Sequence, residues 1–299
     1  MKRNALLPLF AVIFFLASCG KGGNTPSPNP TPTPTPSGNQ ENDPINFGNP
    51  TNAVAQATSP ENYLKDYTYF KIGYSRSRGV SNWVAWHLES ADLGSAPRQN
   101  DFRPDTQLPS GWYQVTSSSY SGSGFDRGHN CPSADRTSTV AANSSTFYMT
   151  NMTPEAPNLN QGPWAGLEDY IRNTLVGSAN EAYITAGSYG IGGYNGSNTL
   201  INNIDNGNVT VPAKIWKVVV VMPKGSNDLT RISSSATVLA VTMPNDNRLY
   251  TTGGTSAWRN YLTTVANLEI EANASGVPLS LFKNIADSLR PVLKAKLFQ

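Results

Sequence analysis

The stretch GFDRGHNCPSADR, residues 124–136, sets Asp126, Arg127, Gly128 and His129 side by side in a chain that is 14% charged and has two histidines. An imidazole can take a proton from water near neutral pH, and guanidinium groups pair with phosphate oxygens through two parallel hydrogen bonds. A second dense stretch, FYMTNMTPEAPNLNQGPWAGLEDYIR, residues 147–172, begins as a strand, breaks at Pro154 and Pro157, and starts a helix near Asn160. Helical spacing puts Asn160, Trp164, Glu168 and Arg172 at successive four-residue steps, so an amide, a carboxylate and a guanidinium share one side of one helix. If His129 ends a strand beside that helix, a base stands next to hard oxygen ligands suited to Mg²⁺. That ion keeps most of its waters and needs only one or two protein oxygens, so one Asn ligand suffices. Base, metal and arginine together describe phosphodiester hydrolysis.

At these residues the chain also resembles a known family. Asp126-Arg127-Gly128-His129, followed by Pro132, Ala134 and Asp135-Arg136, is similar to the DRGH signature of the DNA/RNA non-specific endonucleases, a ββα-metal family. Thr150-Asn151-Met152, Leu159-Asn160-Gln161-Gly162, Trp164, Leu167-Glu168 and Arg172 resemble the family's second block in type and spacing. The likeness spreads to Asn82-Trp83-Val84-Ala85, Tyr183 to Gly187, Pro212, Trp216-Lys217-Val218 and Met243-Pro244-Asn245, roughly residues 60 to 285.

The resemblance implies an Mg²⁺-dependent endonuclease, with Mn²⁺ as a substitute metal, that hydrolyses DNA and RNA without sequence preference and leaves 5′-phosphates. It implies His129 as general base, Asn160 as direct metal ligand and Glu168 holding the metal's water shell. Arg127 and Arg172 would orient phosphate or support Glu168, and Asn151 would fix the site by hydrogen bonding. A further arginine, stabilising the charge on the pentacovalent phosphorus, is expected at Arg98, with Arg103 as the competing position. Asn130 and Cys131 depart from the residues that often follow the signature His. Cys131 reads as a small buried side chain, with modulation of activity by oxidation as the alternative.

The elements that must position these groups are mainly strands. SNWVAWHL (81–88), STFYMT (145–150), EAYITAGS (181–188), KIWKVVVVM (214–222) and TVLAVTMP (237–244) are rich in β-branched and aromatic residues and are bounded by Gly, Pro, Asn or Ser. Helical patterns run from Asn160 to Val176, from Trp258 to Ala272 and from Leu279 to Leu297. The mixed order predicts an α+β fold with a central, mainly antiparallel sheet flanked by helices. No second linker or internal repeat divides the body, read as residues 56–299.

Before the body, residues 1–18 read as a lipoprotein signal peptide: a basic start, an apolar run from Ala5 to Leu16, and Leu16-Ala17-Ser18 before Cys19. The apolar run is shorter than a membrane span. Residues 19–55, with Pro at alternate positions from Thr25 to Ser37, read as a stiff extended tether on a lipidated Cys19. The expected location is outside the cytoplasm, anchored to the outer membrane or cell surface of a bacterium. The formal charge of +2 includes Lys2 and Arg3 of the leader, so the remainder sums to about zero. A polyanionic substrate must then be met by local arginines, whose phosphate contacts carry no base information and weaken with salt.

Several features have plainer readings. His87, in an alternating apolar run, reads as structural. Glu168 and Arg172 alone would be an exposed i,i+4 pair. The glycine cluster at 187–196 lacks the spacing of a phosphate-binding loop. Tyr113, Tyr120, Tyr189 and Tyr194 are loop tyrosines that could stack on bases. The rival functional class is a nucleic-acid-binding surface lipoprotein without catalysis, and a phosphodiesterase for small or lipid esters is a second. No protein partner is evident, and a homodimer is left open.

Overall fold

The computed structural model describes residues 41–250 and 254–299. The leader, Cys19 and residues 19–40 of the tether lie outside the described residues. Within them no helix is long and apolar enough to cross a membrane.

The frame is one seven-stranded sheet: Tyr63–Asp66, Lys71–Ser75, Val80–Leu88, Asn180–Tyr189, Lys214–Pro223, Thr237–Pro244 and Leu262–Thr263, in that order across it. Every neighbouring pair is antiparallel. Strand order in space therefore follows chain order, and the long excursion between Val80–Leu88 and Asn180–Tyr189 carries the candidate site. The central strands are buried at nearly every position because both faces are covered. Val84, Trp86, Ile184, Ile215 and Val219 face one core with Trp164, Leu167 and Ile171. Trp83, Ala85, Tyr183, Trp216, Val218 and Val220 face a second core with Val265, Leu268 and Leu281. Each such fully buried side chain contributes about 1.5–3 kcal/mol.

The runs at 81–88, 181–188, 214–222 and 237–244 form strands as their composition predicts. The run at 145–150 does not. A helix over Val140–Ser145 ends there, begun by Thr139, whose hydroxyl accepts from the Ala142 N–H, and a single 3₁₀ turn covers Met149–Asn151. Ser145 and Thr146 turn their hydroxyls onto the carbonyls of Ala142 and Asn143, a local pairing that competes with a ladder. Phe147 and Met149 are apolar for burial, not for a strand.

The expected helix from Trp258 to Ala272 is divided. A 3₁₀ stretch covers Gly254–Tyr261, Leu262–Thr263 joins the sheet edge, and Val265–Ala274 is the helix, started by the Thr264 side chain on the Asn267 N–H. From Leu279 to Leu297 only Arg290–Lys294 is helical. Phe282 has φ 64°, a left-handed conformation that stops a helix.

The tether reading also ends too late. Residues 41–55 belong to the body: Phe47 and Ala53 are buried in the second core, and the Phe47 ring lies 4.4 Å from that of Tyr183. Lys71 Nζ meets Asp43 Oδ2 at 2.7 Å. Ile45, Phe47 and Ala53 are the side chains of that stretch that pack on the second core.

Candidate active site

Two short antiparallel strands and a helix make the candidate site. Asp126–His129 pairs with Met152–Glu155, register His129 to Met152 and Asp126 to Glu155. The chain then runs into a helical stretch over Pro157–Val176. Pro157 opens that helix, where its missing N–H costs nothing. Gly162 and Pro163 interrupt its regular bonding, and Asn160–Trp164 is a π turn, a distortion common where a side chain must be re-aimed. Asn245 clamps the junction from across the molecule. Its Oδ1 accepts from the Ala156 N–H at 2.8 Å, and its Nδ2 donates to the carbonyls of Pro154 and Pro212 at 2.8 and 3.0 Å.

Gly128 is glycine for a steric reason. The buried Glu155 side chain packs over it, and a Cβ there would stand 2.2 Å from Glu155 Cδ. Burial, with Glu168 nearby, pushes the Glu155 carboxyl well above the carboxylate range. Its Oε2 has no hydrogen-bond partner.

His129 ends its strand with its ring edge-on to Phe147 at 5.0 Å and to Phe102 at 5.7 Å. Its Nε2 is closed off and has no hydrogen-bond partner. Burial first, then the Arg98 and Arg127 cations, drive its pKa from the ordinary 6.5 down to about 3, so the imidazole is neutral at neutral pH. Arg98 lies over Phe147 with Cζ 4.9 Å from the ring centre, and Arg127 lies over Phe102 at 4.0 Å. Two aromatic rings thus hold the imidazole and the two guanidiniums in one stack. Arg98, Phe102, Asp126, Arg127 and Asn160 line a polar cleft of about 420 Å³.

Asn160 donates from Nδ2 to Asp126 Oδ2 at 2.8 Å, and Gln161 donates to the same oxygen at 2.8 Å. That leaves the Asn160 carbonyl oxygen unused by Asp126, as a metal ligand requires. Glu168 accepts from Lys217 Nζ at 3.2 Å. Burial raises its carboxyl pKa, and the Lys217 ammonium is the chief opposing influence. Among the described residues no group of three His, Cys, Asp or Glu side chains could hold a metal. One amide oxygen, with a carboxylate further along the same helical stretch, is the donor chemistry of a mostly hydrated Mg²⁺.

Other expected residues fall elsewhere. Asn151 is fully buried: Oδ1 accepts from the Cys131 N–H, and Nδ2 donates to the Cys131 and Thr146 carbonyls. It ties down the chain just past His129. Arg172 makes no hydrogen bond to Glu168, although its charge favours the Glu168 carboxylate. It donates to Asp135 at 2.6 Å and Asp169 at 3.1 Å, since Asp135, already bound by Trp86 Nε1, offers a buried carboxylate. Arg103 is turned away onto Asp101 and the Ser144 carbonyl, so of these two arginines it is Arg98 that lines the cleft. The Cys131 thiol is buried and pushed up by that burial, unlike a reactive thiol. His87 is buried with Nε2 3.3 Å from Glu181 Oε2. Of the four tyrosines, Tyr120 and Tyr189 are buried, Tyr113 is bound to Asp205, and Tyr194 carries the Arg248 guanidinium on its ring.

Three residues escaped the sequence reading as site residues. Asp126 orients Asn160, Glu155 fills the space over Gly128, and Lys217 meets Glu168. Asp126 stood in the DRGH signature without a role given to it, and Lys217 had a signal of its own, a charge at an inward position of the apolar run KIWKVVVVM.

Comparison with known proteins covers the part of the chain that holds this site. The family model of the DNA/RNA non-specific endonucleases matches residues 48–288. A protein named Nuclease from Nostoc sp. is 45% identical over 223 residues, 75% of this chain and 76% of its own. Human mitochondrial Endonuclease G is 32% identical, over 58% of this chain and 57% of its own. A crystal structure of an EndoG/EndoGI complex superposes with a TM-score of 0.64 at 20% identity, covering 82% of this chain and 92% of the other, a likeness of fold.

Proposed function

Given that the chain belongs to the DNA/RNA non-specific endonuclease family, we propose that it is an Mg²⁺-dependent phosphodiester hydrolase with little sequence preference. One observation carries the reading: a neutral imidazole packed against Phe102 and Phe147, the two rings that carry Arg127 and Arg98, with both arginines and Asn160 lining one cleft.

In the proposed reaction a water oxygen attacks phosphorus while the His129 imidazole takes its proton. The P–O3′ bond breaks, leaving a 5′-phosphate and, once protonated, a 3′-hydroxyl. Arg98 and Arg127 hold the phosphate and offset the charge that grows on its oxygens. Asn160, turned by Asp126, would be the direct metal ligand, and Glu168 would hold the metal's waters. When bound, the metal supplies positive charge to the phosphate and leaving oxygen. Asn151 and the two phenylalanines keep the base in place. Contacts to phosphate alone read no base, which accounts for indifference to sequence. Mn²⁺ is proposed as a substitute, being another hard ion for oxygen ligands. The proposal extends to export through residues 1–18 and to a lipid on Cys19. Detergent-dependent release from a bacterial membrane fraction, lost in Cys19→Ala, would support the anchor.

The test is digestion of plasmid and RNA with Mg²⁺ or EDTA. Wild type should cut both only with metal, and His129→Ala and Asn160→Ala should each lower the rate by about 100-fold or more. Retardation of nucleic acid on a gel without cutting would overturn the enzyme reading in favour of a binding protein.

A further inference from the structure

Lys217 has no exposed surface, yet it projects from the middle of a sheet strand onto the face that receives the site helix, between Ile215 and Val219. An ammonium in such a place is costly unless it is paired. Its Nζ lies 3.2 Å from Glu168 Oε1, 4.3 Å from the Trp164 ring centre and 5.5 Å from that of Trp86. Trp164 and Glu168 stand one turn apart on the helix, so ring and carboxylate make a single seat for the cation. Among the described residues no other side chain donates a hydrogen bond to this carboxylate: Arg172 is spent on Asp135 and Asp169, and Arg98 on Asn100 and Ser133.

We propose that Lys217 is a positioning residue for the hydrolysis, fixing from inside the core a Glu168 carboxylate whose side chain stays 16% exposed. The inference rests on the nuclease reading above and adds to it a residue that never meets substrate. Burial would otherwise favour the neutral acid at Glu168, and Asp135 presses the same way. The Lys217 ammonium is the strongest influence against both. A carboxylate tied to the sheet cannot swing with the surface of its helix, so water held by it would be held at a fixed point.

Two measurements on the full chain test this. In metal-free buffer, Glu168→Gln should lower Tm by about 5 °C, because it strands a buried ammonium. An unchanged or higher Tm, the usual result of removing a carboxylate placed only for function, overturns the pairing. In kinetics with plasmid and saturating Mg²⁺, Lys217→Met should lower kcat by about 30-fold with KM within about threefold. Added to Glu168→Gln, it should cost less than about threefold more. Full multiplication of the two losses overturns action through Glu168. If Lys217→Met does not fold, the Tm of Glu168→Gln still decides. Wild type that cuts nothing removes the nuclease reading and this inference with it; wild type that cuts, alongside an equally active Lys217→Met, removes this inference alone.

Discussion

Gly128 is fixed by its neighbour across the hairpin more than by its own backbone. A methyl group there meets Glu155 Cδ at 2.2 Å inside a closed site, and the side chain it strikes has no room to leave. Gly128→Ala should destabilise by about 1–3 kcal/mol, read as a lower denaturant midpoint, and should cut turnover by displacing His129 one residue on. His87 makes a prediction with pH. Burial holds its pKa near 4 in the fold against an ordinary 6.5. The unfolded chain therefore binds the proton first, and this stability is present above pH 6.5 and lost as pH falls toward 4. At pH 5 the loss is about 2 kcal/mol. Between pH 7 and 5 wild-type Tm should fall, and in His87→Gln the fall should be visibly shallower. Residues such as His129 and Asn160 were legible because their neighbours in sequence share one chemistry. Glu155 and Asp126 were not, because what they do depends on a partner across a hairpin or 34 residues along the chain.

Among the elements, those that were legible are the ones whose composition and surroundings agree. The strand at 214–223 is apolar from Ile215 to Met222 except at Lys217, because both of its faces are covered, and such a run announces itself; the strand at 180–189 is marked by its β-branched and aromatic residues. The short strands Asp126–His129 and Met152–Glu155 carry charge, proline and glycine, and no β-propensity marks them. They are held by tertiary bonds, of which Asn245 makes three. Asn245→Ala would leave an amide and two carbonyls of the hairpin–helix junction unpartnered in a buried place. The expected cost is about 2–4 kcal/mol from several lost bonds. Because the junction aims Asn160, the variant should also need more Mg²⁺ for half-maximal cutting, while Asn267→Ala, on an exposed N–H of a distant helix, should not. Equal metal requirements would show that the clamp stabilises without aiming.

For the molecule as a whole, the sheet needs a cover on each face, and the two covers come from different parts of the chain. The site excursion closes one face. The other is closed by the C-terminal helix and by the segment 41–55, which composition alone had assigned to the tether because only its few apolar side chains mark it. Phe47 fits between Tyr183 and the residues around Phe282, and the Asn46 carbonyl accepts from Asn284, so this piece joins both ends of the chain over the second core. A chain begun at Glu41 and one begun at Gln56 therefore differ by a piece of core, not by a spacer. Losing one buried aromatic of this kind costs about 3–5 kcal/mol, which in a domain of this size lowers Tm by about 6–20 °C. Thermal melts of the two chains should show that gap, and Phe47→Ala in the longer chain should reproduce most of it. Matching melts would mean that the second core closes without its N-terminal edge. Cutting activity well below the shorter chain's Tm should survive in both, since no residue of the cleft comes from this segment.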